Sequence, residues 1–183
     1  MKLVSYTRHK ESFIGAVVAG DRIIVDLAAA DHALARKEKR QAHPFFTDML
    51  TLLEAGPKGL AATRKAVNLA VERLGAQSKA DGKISHPLSQ VRLRAPVPCP
   101  RKIFCLAGNY QEHIEEGGKK MQAQDRETPR IFMKPPSTTV IAPDEAILIP
   151  PVARSVDWEG ELAVVMGRRA KAVKAAEALK YVA

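Results

Sequence analysis

Three carboxylates, Asp157, Glu159 and Glu161, lie at alternate positions directly before the apolar run 162–166. The apolar run, which ends at Gly167, predicts a buried strand. Because side chains alternate between faces along a strand, all three acids are expected on the same side. Like charges crowded there are unfavourable without a cation, and oxygen ligands suit a hard ion such as Mg²⁺, Mn²⁺ or Ca²⁺. The pattern therefore predicts either a divalent-metal site or a solvated edge strand that carries scattered acids.

A second chemical candidate is the pair His113 and Glu116, which follows a predicted short strand at 102–106. Residues at i and i+3 are neighbours on a helical turn, so the two side chains can touch. A carboxylate bonded to one imidazole nitrogen selects the tautomer and raises the basicity of the other nitrogen. A base that activates water requires this arrangement. The alternative is an ordinary pair on a helix surface.

Together the two segments resemble the fumarylacetoacetate hydrolase family. The resemblance covers about residues 95–183 and rests on an ordered set of motifs. After the strand, these are Gly108-Asn109-Tyr110-x-x-His113-x-x-Glu116, Pro129-Arg130-Ile131-Phe132-Met133-Lys134-Pro135, Ile149-Pro150-Pro151 and Asp157-Trp158-Glu159-Gly160-Glu161-Leu162. The part before residue 95 matches only loosely, as a variable small domain.

The resemblance implies an α+β protein. A small N-terminal α/β domain is expected at 1–80, a linker with an entry strand at 81–94, and a fumarylacetoacetate-hydrolase-like mixed β-sheet core at 95–183. The resemblance also predicts a third metal carboxylate and a substrate-binding lysine after Ala183, so the core is expected to be incomplete.

The resemblance further implies roles for individual residues. Glu159 and Glu161 would hold Mg²⁺ or Mn²⁺, with Ca²⁺ as an alternative, while Asp157 would stand beside the ion without being a ligand. His113, oriented by Glu116, would activate water. Substrate binding would fall to Tyr110, Arg130 and Lys134, and surface roles stay open for Arg130 and Lys134.

The implied function is a divalent-metal-dependent hydrolase that cleaves a carbon–carbon bond of an acylpyruvate-like or 1,3-dicarbonyl acid. A decarboxylase or an isomerase of 2-oxo di-acids on the same scaffold is an alternative. A third interpretation is a non-catalytic fragment that acts as a binding or assembly module. The family resemblance also suggests a homodimer, and it implies that the polar segment 115–130 is a lid, for which the alternative is a plain surface loop.

Composition narrows the class of protein. The net charge of +9 is spread along the chain without a nucleic-acid-binding signature, so no nucleic-acid partner is expected. A basic surface also steers small anionic 2-oxo acids towards a protein. No apolar run approaches the length of a membrane span and the N-terminus has no signal-peptide core, so a cytoplasmic protein is expected. Cys99 and Cys105 are expected to be reduced thiols.

The surrounding elements follow from periodicity and punctuation. The histidines outside the motifs, namely His9, His32, His43 and His86, are expected in surface or packing roles. Strands are predicted at 2–6, 12–18, 22–27, 91–94, 131–134 and 138–141, helices at 47–55 and 58–74, helical spacing at 171–181, and a polar linker at 76–90. Thr47 is predicted to cap the first of the two helices.

Overall fold

The chain divides into two compact units, Met1–Val97 with Ala142–Ala183, and Pro98–Ile141. The structure, a computed structural model, describes residues 1–77, 80–116, 118 and 128–183, without the side chains of residues 76, 77 and 113.

The first unit is built around an antiparallel sheet. Its strands are β1 (Lys2–Arg8), β2 (Glu11–Val18), β3 (Ile23–Asp26), β4 (Ser85–Pro87) and β5 (Arg92–Leu93). They lie in the order β4-β3-β2-β1-β5. Positive φ angles at Ala19, Gly20 and Asp21 turn the chain between β2 and β3, where the sequence predicts a turn.

Three helices cover one face of this sheet. They are α1 (Leu27–Glu38), α2 (Met49–Glu54) and α3 (Gly56–Gln77). The Asp26 carboxylate caps α1 by accepting from the Ala29 amide at 2.8 Å. The α1 helix ends at Lys39, which takes a left-handed conformation and donates its amide to carbonyls of the last turn.

The core lies between the helices and that face. Alternate residues of β2 and β3 point towards the helices, because side chains of a strand alternate. Two apolar clusters form there, one of Ile14, Ala16, Leu27, Phe45, Phe46, Met49, Leu52, Ala62 and Val67, and one of Val25, Ala30, Ala66, Ala70 and Ile84. The small alanines of α1 and α3 let these two helices approach each other closely.

The other face of the sheet carries buried polar groups. The Tyr6 hydroxyl donates to Asp26 Oδ2 at 2.9 Å, and the Arg8 guanidinium donates to His86 Nδ1 at 2.9 Å. Since β2 and β3 lie between β1 and β4, the contact between Arg8 and His86 requires the sheet to curl. Gly15 lies beside the Tyr6 ring, where a Cβ atom would be only 3.0 Å from Tyr6 Cε1.

The second unit contains a two-stranded antiparallel ribbon of β6 (Ile103–Ala107) and β7 (Arg130–Lys134). Helix α4 (Gln111–Glu116) follows β6, and the short helix α5 (Pro136–Thr139) follows β7. Both strands of the ribbon match their sequence predictions within two residues.

The predictions for the first unit are largely confirmed, as is the α+β class. The strands predicted at 2–6, 12–18 and 22–27 and both predicted helices are present. Two details are wrong: Asp48, not Thr47, caps α2 by accepting from the Thr51 amide at 2.9 Å, and β4 lies inside the predicted polar linker. Helix α1 has no counterpart among the predictions. The domain boundary at residue 80 stays a prediction.

The predictions for the C-terminal stretch fare less well. The strand predicted at 138–141 is wrong: α5 begins at Pro136, and the Thr139 hydroxyl donates to the Pro135 carbonyl at 2.8 Å. The spacing at 171–181 produces an exposed 3₁₀ helix over Ala175–Tyr181. The buried strand predicted at 162–167 is also wrong, because this stretch is irregular and exposed apart from one bridge between Met166 and Val182 and a partly covered Gly167.

Candidate functional site

The motif that carries His113 begins at a strand-to-helix turn. Strand β6 ends at Ala107, and Gly108 follows with a φ of +64°. A left-handed φ is strained for residues that have a side chain, so glycine suits this turn. Ile114 of α4 packs towards the turn, because a Cβ atom on Gly108 would lie 3.6 Å from Ile114 Cδ1. The turn and this contact determine where α4 starts.

Helix α4 confirms the helical turn on which the predicted base depends. The Ile114 amide donates to the Tyr110 carbonyl at 3.3 Å, and the Gln111 side-chain amide donates to Glu115 Oε1 at 2.8 Å. Glu115 is therefore engaged within the helix. The backbone spacing permits the contact between His113 and Glu116, but the His113 side chain lies outside the described residues, so this contact stays a prediction.

The two basic candidates lie at opposite ends of β7. Arg130 pairs with Ala107, beside the turn that leads to α4, whereas Lys134 pairs with Ile103 at the far end of the ribbon. Four residues of strand separate their Cα atoms by about 13 Å. The Lys134 ammonium lies 6.0 Å from the centre of the Phe132 ring. By its register, Arg130 is therefore the better placed of the two to act together with residues of α4.

The acidic candidates Asp157, Glu159 and Glu161 lie in the other unit, in an exposed stretch without regular secondary structure. The Asp157 carboxylate accepts from the Trp158 amide at 2.8 Å. The predicted alignment of the three acids on one face of a strand is therefore not observed. At the C-terminal end of this stretch, the Val165 carbonyl accepts from the Ala183 amide at 2.9 Å.

The expected metal ion matches these residues in chemistry but not in number. Carboxylate oxygens are the ligands that Mg²⁺ and Mn²⁺ prefer. In the described part of the chain, however, no three histidine, cysteine or acidic side chains converge as ligands for a metal ion.

The best-formed cluster of ionisable groups was not among the sequence candidates. Asp31 is almost fully buried and accepts from the Arg40 guanidinium at 2.7 Å and from the His43 amide at 2.6 Å. Burial favours the neutral acid, but these hydrogen bonds outweigh it and lower the pKa of Asp31. The His43 ring stacks on Phe45 with centroids 4.9 Å apart. The cluster ties α1 to the loop that follows it, which is a structural role.

His86 is a second buried ionisable group of the first unit. Burial, followed by the nearby Arg8, lowers the pKa of His86, while Asp26 and Asp81 act in the opposite direction. In the described part of the chain, His86 Nε2 and Arg8 Nε have no hydrogen-bond partner. The predicted packing role of His86 is therefore confirmed by its burial. The contact between Arg8 and His86 joins residues that are 78 positions apart, so no local sequence signal indicates it.

Two further expectations concern mobility and membranes. Most of the segment 115–130, which the resemblance identifies as a lid, lies outside the described residues. Among the described helices, none combines the length and the apolar composition that a bilayer crossing requires.

Comparison with known proteins agrees with the sequence motifs. Residues 102–183 match the family described as "Fumarylacetoacetate (FAA) hydrolase C-terminal". The chain is 32% identical over 160 residues to "Oxaloacetate tautomerase Fahd2a, mitochondrial" of Rattus norvegicus, an alignment that covers 87% of this chain and 42% of the relative. It is 33% identical over 135 residues to "Oxaloacetate tautomerase FAHD2B, mitochondrial" of Homo sapiens, covering 74% of this chain and 38% of the relative.

A bacterial relative is more similar over a shorter stretch. The chain is 44% identical over 95 residues to "Protein Rv2993c" of Mycobacterium tuberculosis, covering 52% of this chain and 34% of the relative. The chain thus spans about two-fifths or less of the length of these relatives. All seven candidate site residues fall within residues 102–183, the part that matches the family.

Proposed function

Because the chain is a member of the fumarylacetoacetate hydrolase family, with residues 102–183 as the matching part, we propose that this part belongs to a keto–enol isomerase of a small 2-oxo di-acid. One observation carries the proposal: the part that matches the family holds every candidate site residue, and five relatives that align over 74% or more of the chain are named oxaloacetate tautomerases. An isomerase was the alternative to a hydrolase in the sequence analysis.

The chemistry requires one proton to leave and one to arrive. Conversion of the enol to the keto form removes the proton from the enol oxygen and adds a proton to the other carbon of the double bond, with no change in mass. His113, with Glu116 bonded to its ring, is the proposed group that moves these protons. Tyr110 directly precedes α4, and Arg130 pairs with Ala107 beside the turn that leads into α4. In this proposal the two side chains orient the di-acid.

Substrate binding in this proposal rests on cationic side chains. Arg130 offers a planar pair of donors suited to a carboxylate. Lys134 offers a point charge at the other end of β7. Since the two Cα atoms are about 13 Å apart, the two side chains would meet the two ends of a di-acid rather than one carboxylate.

Binding of Mg²⁺ or Mn²⁺ at Glu159 and Glu161 belongs to the same proposal, with Ca²⁺ as a further candidate. The supporting observation is the donor chemistry of two carboxylates in the part that matches the family. Titration of Mn²⁺ into the chain, followed by electron paramagnetic resonance of the free ion, tests this directly. Saturable binding that Glu161→Gln abolishes supports it, and unchanged free Mn²⁺ counts against a site formed by this chain.

The catalytic proposal is tested with enol-oxaloacetate. The decay of the enol absorbance is followed with and without the protein, in the presence of Mg²⁺ or Mn²⁺. Glu116→Gln should lower the rate by about 10²- to 10⁴-fold if Glu116 supports the acid–base group. Glu72→Gln, on the exposed side of α3, is the matched control and should leave the rate unchanged. A protein-dependent rate that is the same in both variants would contradict the assigned role of Glu116.

A carbon–carbon hydrolase is the second candidate. The pair of His113 and Glu116 supports it, because such a pair can activate water as well as move a proton. Mass analysis of products from an acylpyruvate separates the candidates: hydrolysis adds one water and yields two acids, decarboxylation releases CO₂, and isomerisation changes no mass.

Homodimerisation, a cytoplasmic location and the absence of a nucleic-acid partner stay predictions. The mammalian relatives carry "mitochondrial" in their names, which makes location a question to be tested in the source cells.

A further inference from the structure

The pair formed by Arg8 and His86 has more hydrogen-bond donors than acceptors. A guanidinium carries five N–H donors and no acceptor, so in the 2.9 Å contact Arg8 Nη1 donates and His86 Nδ1 accepts. An imidazole whose Nδ1 accepts carries its proton on Nε2, and the lowered pKa of His86 favours this neutral form. The acceptor of the pair is thus already used, and any further acceptor has to come from outside the pair.

Two donors of this pair are buried without an acceptor. Among the described residues, Arg8 Nε and His86 Nε2 have no hydrogen-bond partner, and His86 is only 2% exposed. Asp26, a carboxylate on the same face of the sheet, is engaged elsewhere, because its two oxygens accept from the Ala29 amide and the Tyr6 hydroxyl. A buried donor without an acceptor is unfavourable, above all when it is charged. An acceptor that enters from solution would relieve this.

The position of the unpaired Nε indicates the shape of that acceptor. In a guanidinium, the Nε–H bond and one Nη2–H bond point along the same edge, whereas Nη1, which contacts His86, lies on the other side. Two parallel donors along one planar edge match the two oxygens of a carboxylate. Hydrogen bonds between ionised groups are also about twice as strong as those between neutral groups. A carboxylate therefore suits the Arg8 edge better than a water molecule does.

The surroundings of Arg8 are basic and adjoin solvent. Arg8 is the last residue of β1 and is partly exposed, and the exposed turn of His9 and Lys10 follows it. Both turn residues have positive φ angles, 51° and 70°, as a two-residue turn between the paired Arg8 and Glu11 requires. Asparagine and glycine suit these positions better than histidine and lysine do. The turn thus carries basic residues next to Arg8 in spite of backbone strain, and their charge attracts anions.

We propose that Arg8 and His86 form a binding site for a small carboxylate at the end of the curled sheet. Arg8 would hold both carboxylate oxygens through Nε and Nη2, and His86 would hold the guanidinium in place through Nη1. Because Arg8 Nε is covered by the protein, the site suits a small free carboxylate rather than a carboxylate on the surface of a folded partner. The site lies outside residues 102–183 and does not depend on the proposed function.

An acetate titration followed by nuclear magnetic resonance tests this site directly. In the ¹⁵N-labelled chain, the Arg8 Nε–H signal is identified by its loss in Arg8→Lys. It is followed from about 0.1 to 50 mM acetate at constant ionic strength, and it should saturate with a dissociation constant of about 1–10 mM. Arg22 is an internal control, because its Nε already donates to the Ala19 carbonyl at 3.2 Å. An Arg8 signal that moves no more than the Arg22 signal would overturn the proposal.

Two matched variants distinguish the planar edge of Arg8 from its positive charge. Arg8→Lys keeps the charge but loses the paired donors, so it should weaken acetate binding at least about tenfold, measured from the backbone amide signals of His9 and Lys10. Arg22→Lys makes the same change at an exposed residue and should leave the dissociation constant within about twofold. The amide spectrum of each variant shows whether it is folded. Equal effects of the two substitutions would overturn the proposal.

Glu11 is an alternative source of a carboxylate, because it pairs with Arg8 across the hairpin. In Glu11→Gln without acetate, the Arg8 Nε–H signal should stay where it is in the unaltered chain, and acetate should still shift it. A signal that moves on this substitution, in a chain whose own signal acetate leaves unchanged, would identify Glu11 as the acceptor and overturn the proposal.

Discussion

Gly15 is a position at which a single added methyl group should strongly destabilise the fold. A Cβ atom there would lie 2.6 Å from Ile24 Cγ2, 2.8 Å from the Val25 carbonyl oxygen and 3.0 Å from Tyr6 Cε1. Ile24 and Tyr6 are fully buried, and the carbonyl belongs to the neighbouring strand β3, so none of the three can move aside easily.

The expected cost of Gly15→Ala follows from these distances. Overpacking of a core costs about 1–3 kcal/mol, and a backbone obstacle places this substitution at the upper end, about 3 kcal/mol. For a chain of 183 residues, about 1 kcal/mol shifts the midpoint by roughly 2–4 °C, so the midpoint should fall by about 6–12 °C. Thermal unfolding followed by circular dichroism measures the shift.

Gly75→Ala is the matched control for this substitution. Gly75 lies near the end of α3, and a Cβ atom there would meet nothing within 4 Å. Alanine should therefore stabilise the helix by up to about 1 kcal/mol. A Gly15→Ala protein that melts within about 2 °C of the unaltered chain would refute the packing argument.

Three further predictions concern polar groups of the first unit. Because folding lowers the pKa of His86, the unfolded chain binds a proton at His86 before the folded chain does as pH falls below about 6.5. Below this pH the free energy of unfolding should therefore fall by up to about 1.4 kcal/mol per pH unit. Urea titrations at several pH values should show this slope in the unaltered chain and not in His86→Gln. Asp31→Asn should lower the free energy of unfolding by about 2 kcal/mol, because the Arg40 guanidinium loses an ionised acceptor. The lowered pKa of Asp31 also makes the unaltered chain lose stability below about pH 4, and this loss should be smaller in Asp31→Asn. An unchanged dependence of stability on pH below about 4 would contradict this. Asp48→Ala should cost about 1 kcal/mol in thermal unfolding and Thr47→Ala much less, and equal losses would contradict the assignment of the cap.

The parts of the fold that local rules determine were predictable. The hairpin of β2 and β3 follows from alternating apolar residues on either side of a turn at Gly20. The two helices α2 and α3 follow from apolar spacing. Helix α1 was not predicted, because its many alanines differ little in hydropathy from their neighbours, although Asp26 is a residue type that caps helices.

Elements that depend on distant partners were not predictable in the same way. Strand β4 has three residues, and its Ser85 and His86 are polar side chains that become buried. Their burial is possible because Asp81 accepts from amides of the adjoining turn and Arg8 reaches His86 across the curled sheet. The polar composition of 76–90 and its Gly82 predict a linker, because the sequence alone does not show these distant partners.

The same distinction divides the candidate site. The strand–turn–helix that carries His113 is local, since Gly108 and the first turn of α4 suffice to build it, and it was predicted. The structure of the stretch 157–165, which carries the candidate metal ligands, is not determined locally. Whether Glu159 and Glu161 project from one face depends on whether their backbone is held as a strand, and that requires an edge to pair with. The metal binding proposed for these carboxylates is therefore conditional on a backbone partner that holds the stretch 157–165 as a strand, because only then is the spacing of their oxygens fixed.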